Sequence, residues 1–286
     1  MDFTLKKYIE LLNTLICQGF SLLTLEEFIL NPAGKVIVLR HDVDASLANS
    51  LKFAIIQSEK GIKGTYYFRI LPECFDEKII KEIYSFGHEI GYHYETVEQC
   101  NGDIDKAYLQ FCQNLTQLRK IVSVETICMH GSPYSKFDNR LIWEKYDFRI
   151  LGIKAEPYFD VNFEEVLYLT DTGRRWDGGV VSIRDKAYDV KSATNSENYY
   201  TDWTVKPIPG SLMNMTPTSI EFQNKYKFRT SSDLIRAAEN GELPDKIMMT
   251  FHPQRWTNKP LPWLKELVWQ NVKNAGKYFL IKMRNI

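Results

Sequence analysis

Residues 35–44 read KVIVLRHDVD, an unbroken apolar run from Val36 to Leu39 that ends abruptly in charged and polar side chains. A strand with one wet face would alternate; a continuous run reads as a strand buried on both faces, as in a parallel sheet. On its C-terminal side the pattern repeats. GTYYFRI (64–70), HEIGYHY (88–94) and ETICMH (125–130) read as further strands, separated by helical stretches at about 45–60, 76–86 and 103–120. The last of these places Ile104, Ala107, Tyr108, Phe111, Leu115 and Leu118 on one face. Four strand-then-helix units in succession predict a parallel sheet with crossover helices.

On the N-terminal side, two amphipathic segments at about 4–18 and 24–30 read as helices outside the first strand. Beyond residue 150 the alternation weakens. VLYLTD (166–171) and VVSIRD (180–185) are short strand candidates separated by the turn-rich DTGRRWDGG, and 186–230 is polar and without clear period, a surface excursion that could cover a site. A helix near 231–239, the apolar strand KIMMTF (246–251) and a C-terminal helix from about 261 follow. The expectation is an α/β protein: a distorted (β/α)7-type barrel, one domain over 1–286, with N-terminal helices in 1–34.

Lys plus Arg and Asp plus Glu each total 36, so the formal charge is zero and no basic face for nucleic acid is expected. Lys6, Lys7 and Glu10 interrupt the first apolar stretch before it reaches signal-peptide length, and no run is long enough for a membrane span. The five cysteines (17, 74, 100, 112, 128) include no CxxC pair and read as small buried hydrophobes, which predicts reduced thiols and a cytoplasmic protein.

In parallel sheets and barrels, ligands bind at the carboxyl ends of the strands. Of five histidines, His41, His93, His130 and His252 fall at such ends, and a shared site is the economical expectation; His88 begins a strand and reads as structural. Asp42 and Asp44, at i and i+2 of an extended segment, point the same way, so their repulsion calls for a proton or a cation. A divalent metal held by carboxylate and imidazole would be zinc, cobalt, nickel, manganese or iron. Asp44 could instead cap the helix that follows it.

These residues resemble the polysaccharide deacetylases of carbohydrate esterase family 4 (the NodB-homology superfamily), most closely its RHDVD-bearing, WbmS-like branch associated with bacterial surface-polysaccharide loci. The family's first motif pairs a catalytic-base Asp with a metal-ligand Asp, similar to Asp42 and Asp44. GHEIGYHYE resembles the second motif, with His93 as metal ligand, and IMMTFHPQRW offers His252 as the catalytic histidine. Order and spacing match across about 35–256. The chain departs from the pattern at Val97, where the family has a second metal histidine, so the third ligand is expected from His130 first and Glu95 second. The third motif's base-orienting Arg is absent, leaving Arg40, Arg174 or Arg255 to replace it. DTGRRWD offers Asp171, Trp176 and Asp177 for the fourth motif, with Trp176 and Arg174 as substrate contacts, although core packing accounts equally well for Trp176. The resemblance implies a metal-dependent enzyme, zinc first among the candidates, that removes an acetyl group from an N-acetylated sugar with Asp42 as base and His252 as acid. Two alternatives are a hydrolase of another C–N bond on the same site and a catalytically silent carbohydrate-binding barrel.

Overall fold

The structure is a computed structural model that describes residues 1–131, 135, 137–176 and 217–284, with side chains except at 217, 220 and 277–284. The VVSIRD strand candidate, Asp177 and most of the 186–230 excursion lie outside the described residues.

Among the described residues, seven parallel strands form one sheet: β1 (Ser21–Leu23), β2 (Val36–Val43), β3 (Thr65–Phe68), β4 (Glu89–Tyr94), β5 (Ile127–Met129), β6 (Leu167–Thr170) and β7 (Lys246–Phe251). Their order is β5-β4-β3-β2-β7-β6, and the sheet curls into a half-barrel. β2 is central. β7 lies along one of its edges (Val36↔Lys246 to His41↔Phe251). The other edge is shared, with β1 opposite Val36–Val38 and β3 opposite Arg40–Val43. β1 escaped the sequence reading because three residues carry too little periodicity to register.

Eight helices that bear on the packing are α1 (Leu5–Cys17), α2 (Leu25–Leu30), α3 (Leu47–Ser58), α4 (Glu77–Ser85), α5 (Thr96–Gln99), α6 (Ile104–Arg119), α7 (Pro157–Asp160) and α8 (Pro217–Asn224). α9 (Ser231–Glu239) and α10 (Pro260–Arg284) complete the described set. The starts follow from capping chemistry: Thr4, Thr24, Asp76, Asp103 and Thr230 each accept a first-turn amide, with reciprocal capping boxes at Thr24/Glu27 and Thr230/Asp233. α1 buries Tyr8, Leu11, Leu12 and Leu15, the i, i+3, i+4, i+7 stripe of a helix lying on a core.

Strand pleating divides the core in two. Outward-facing Ile37, Leu39 and Val43 join the large cluster under the helices, whereas inward-facing Val36, Val38, Tyr67, Cys128, Tyr168 and Met248 form a second one, floored by Leu25 and Phe28 of α2. Along the inner face of β2 the chemistry then changes, from Val36 and Val38 to Arg40 and Asp42. The site lies above an apolar plug.

His41 faces outward, away from the other strand-end histidines. Its Nδ1 donates to the Thr65 carbonyl (3.1 Å), its Nε2 accepts from Gln57 Nε2 (2.8 Å), and its ring stacks on Tyr66. The expected shared site therefore loses His41, because adjacent strand residues point to opposite faces. Burial pushes its pKa down to about 3, so the folded chain holds it neutral. A histidine whose folded pKa lies below the unfolded value of about 6.5 contributes nothing at neutral pH and destabilises as pH falls, by up to about 1.4 kcal/mol per unit between those values. The unfolding free energy of the wild type relative to His41→Asn should thus decline from pH 7 to pH 4.5 in urea titrations. A pH-independent difference would refute the neutral assignment.

His88 is also held within the core, accepting from the Gly64 amide (3.2 Å) and contacting the Ala54 carbonyl (3.0 Å).

Candidate active site

Inner-face parity carries five groups to the C-terminal rim: Arg40 and Asp42 on β2, His93 on β4, His130 two residues beyond inward-facing Cys128, and His252 just after β7. Asp44 follows β2 by one residue, its carbonyl accepting from the buried Cys74 thiol (2.8 Å). Gly91 has its own reason on this face: a Cβ there would stand 2.2 Å from the Tyr67 ring, which forms part of the wall beneath Arg40.

Asp44 is the centre. Its Oδ1 lies 3.6 Å from His93 Nε2 and 3.8 Å from His130 Nε2, and its Oδ2 lies 3.7 Å from His252 Nε2. Oδ1 is buried with no hydrogen-bond partner. Each imidazole is oriented from behind. His93 Nδ1 is 2.9 Å from the Cys128 carbonyl, which can only accept, so the proton is on Nδ1 and the Nε2 lone pair faces the carboxylates. His130 Nδ1 sits 3.0 Å from Glu95 Oε2, and Glu95 is gripped by Arg69 at 2.7 and 3.2 Å. Glu95 thus backs His130, an arrangement that metal-ligating histidines commonly show. Arg69 escaped the sequence reading, yet it lies two residues beyond inward-facing Tyr67, and that parity was the available signal.

Asp42 is clamped by Arg40, Nε to Oδ1 at 2.8 Å and Nη2 to Oδ2 at 2.7 Å, with both side chains almost fully buried. Of the three arginines considered, Arg40 is the one that contacts Asp42. Burial alone would raise the Asp42 pKa, but Arg40 and then His93 outweigh it and hold the carboxyl below its ordinary range. His252 Nδ1 meets Asp171 Oδ1 at 2.6 Å, and Asp171 also accepts from the His252 amide, Arg255 Nη1 and Trp256 Nε1. Burial and the Arg255 charge depress the His252 pKa; Asp171 and Asp44 overcome them, and the net direction is up.

Two expected substrate contacts do not reach this cluster. Trp176 is buried in the outer core against Phe251 and Trp256, donating to Ser231 Oγ at 2.9 Å, because an indole this size is most stable where both its faces are covered. Arg174, in a left-handed turn (φ 59°), lays its guanidinium over Phe3 and Trp263.

Whether a metal fits is decided by the donors. Two ligands bonded to one ion at about 2.1 Å stand roughly 3.4–3.7 Å apart, and the two Asp44 Oδ1 to imidazole separations are close to that span. The Nε2 lone pair of His93 is available, Nε2 of His130 faces the same oxygen although Glu95 and Asp44 outweigh burial and raise that ring's pKa, Asp44 brings an unpartnered oxygen, and the set is two imidazoles and a carboxylate. Its side chain is 22% exposed, so the cluster has an open side. Among the described residues, the group whose ligand atoms all lie within 4.8 Å of one another is Glu95, Glu98 and His130; the set of Asp44, His93 and His130 is more open than that. Arg69 already neutralises Glu95 there, which leaves less charge to attract a cation. Burial drives the His93 pKa down to about 4, keeping that ring neutral and its lone pair free at physiological pH.

Compared with protein-family models, curated proteins and solved structures, the chain gives no match. No helix among the described residues is long and apolar enough to cross a membrane.

Proposed function

We propose that this chain is a metal-dependent deacetylase of the polysaccharide-deacetylase type, on a (β/α)7-like barrel, acting on an N-acetylated sugar. The observation that carries the reading is the buried, unpartnered Asp44 Oδ1 facing two imidazole Nε2 atoms, flanked by an arginine-clamped carboxylate and a carboxylate-backed histidine. A divalent ion, zinc first among those that suit nitrogen and oxygen donors, would be held by Asp44, His93 and His130, and when bound it polarises a carbonyl and makes water more acidic.

The protein's own groups supply the proton traffic. Asp42, ionised and immobile on Arg40, takes a proton from the water that attacks the acetamide carbon. His252, protonated on Nε2, gives a proton to the amine nitrogen as the C–N bond breaks, and Asp171 stabilises the charged ring. Acetate and a free amino sugar result. The neighbouring reaction, hydrolysis of a small cyclic or linear amide, would use the same groups, and a screen of N-acetyl sugars against small amides separates the two.

Metal content is the direct test. Protein purified without an affinity tag should hold about one divalent ion per chain, and His93→Ala and His130→Ala should each lose it. A chelator should lower the wild-type melting temperature, since a ligand present at a thousand times its Kd contributes about 4 kcal/mol, and should leave the melting of His93→Ala unchanged. Wild-type protein that takes up no metal after reconstitution would support the silent carbohydrate-binding barrel instead.

A further inference from the structure

A groove of about 560 Å³ opens beside the cluster, between the start of α3, the turn after β7 and the first turns of α10. Two of its wall residues, Ser46 and Gln254, lie two positions beyond Asp44 and His252, so it begins within about 7 Å of chain from the reacting groups. Lys52, Lys259 and Lys265 also line it, and Trp269, 54% exposed, adds an aromatic wall.

The charge in this groove is one-sided. None of the three lysines has an ion-pair partner among the described residues; Lys52 donates only to the neutral Asn49 amide oxygen (3.1 Å). Glu266 is the carboxylate on the wall. Burial raises its pKa, and its charge is answered by Arg255, Lys273 and Arg174 rather than by the lysines. Three cations around a concave wall, in a chain of zero net charge, constitute a local excess that a neutral sugar does not use. Lysine serves as a point-charge phosphate binder.

We infer that the substrate carries a phosphate or pyrophosphate ester, held by Lys52, Lys259 and Lys265 while its acetamide reaches Asp44. This deepens the deacetylase reading and rests on it for the reaction, though not for the binding. A nucleotide-linked and a lipid-linked sugar share the pyrophosphate and differ in what lies beyond it.

Calorimetric titration with inorganic pyrophosphate tests the groove without turnover. Wild type and His93→Ala should bind alike, Lys259→Ala/Lys265→Ala should bind at least tenfold more weakly, and Lys259→Arg/Lys265→Arg should restore most of the affinity. Kinetics on N-acetylglucosamine, its 1-phosphate, a simple pyrophosphate ester and a nucleoside-diphosphate derivative should show KM falling from the neutral to the charged sugars, with the double alanine variant raising KM for the charged substrates alone. Preference for the nucleoside derivative over the simple pyrophosphate ester points to a nucleotide; equal use of both points to a lipid carrier. Equal kcat/KM for neutral and phosphorylated sugars, unmoved by the lysine variants, would overturn the inference and leave the deacetylase standing. Pyrophosphate binding that depends on the lysines, with no sugar deacetylated, would overturn the deacetylase and leave the anion groove standing.

Discussion

Asp42→Asn should lower kcat by about 10²–10⁴ while metal stays bound, because the amide cannot accept the proton that a general base removes from water, and such a base accounts for roughly this range. The same substitution leaves the Arg40 guanidinium buried without its carboxylate. Breaking one side of a buried pair costs about 3–5 kcal/mol, so the melting temperature should drop as well. Arg40→Met separates the two effects. It keeps the Asp42 carboxylate but removes the charge that holds its pKa down, and in the proposed reaction Asp42 acts only when ionised. Activity is lost as pH falls through that pKa, so the acidic limb of the kcat profile should move to higher pH in Arg40→Met and vanish with overall activity in Asp42→Asn. Asp42→Asn retaining more than a tenth of wild-type kcat would end its assignment as base.

Asp171→Asn is the mirror case. The carboxylate raises the pKa of His252, which in the proposed reaction must be protonated to serve the leaving amine, so activity should be lost as pH rises through that value. Without it the alkaline limb should shift to lower pH and kcat at neutral pH should fall by about 10²-fold or more. Asp171 also accepts from His252, Arg255 and Trp256, so a merely structural role would show as a melting-temperature change with an unshifted limb. Metal content should match wild type, since His252 stands on the far oxygen of Asp44 from His93 and His130.

The strands that build the half-barrel were legible because buried parallel strands announce themselves as apolar runs: 64–70, 88–94 and 246–251 were expected where β3, β4 and β7 lie. Site membership was legible only through parity. Asp42, Arg40 and Asp44 share one face of an extended segment, and the same rule places His41 on the other, a distinction lost when histidines are grouped by position along the chain. Which partner each group finds was not legible. Arg69 reaches Glu95 across 26 positions and Asp171 reaches His252 across 81, contacts that depend on strand order, and strand order follows from crossover geometry rather than from local pattern. Trp176 illustrates the limit from the other side: its turn-rich neighbourhood fitted core packing and substrate contact equally well, and the long-range packing of Phe251 and Trp256 decided burial.

The position of β7 has a consequence for biosynthesis. It is the last strand in the chain and a central one in the sheet, wedged between β2 and β6. Until β7 has left the ribosome, the edge of β2 bearing Val36 to Leu39 lacks that partner, and an unpaired apolar edge is a template for association with other chains. The strand that keeps β2 from association also delivers His252. The nascent chain therefore carries Asp44, His93 and His130 long before it carries His252, and the step that completes the cluster is the same step that makes the polypeptide safe from its neighbours.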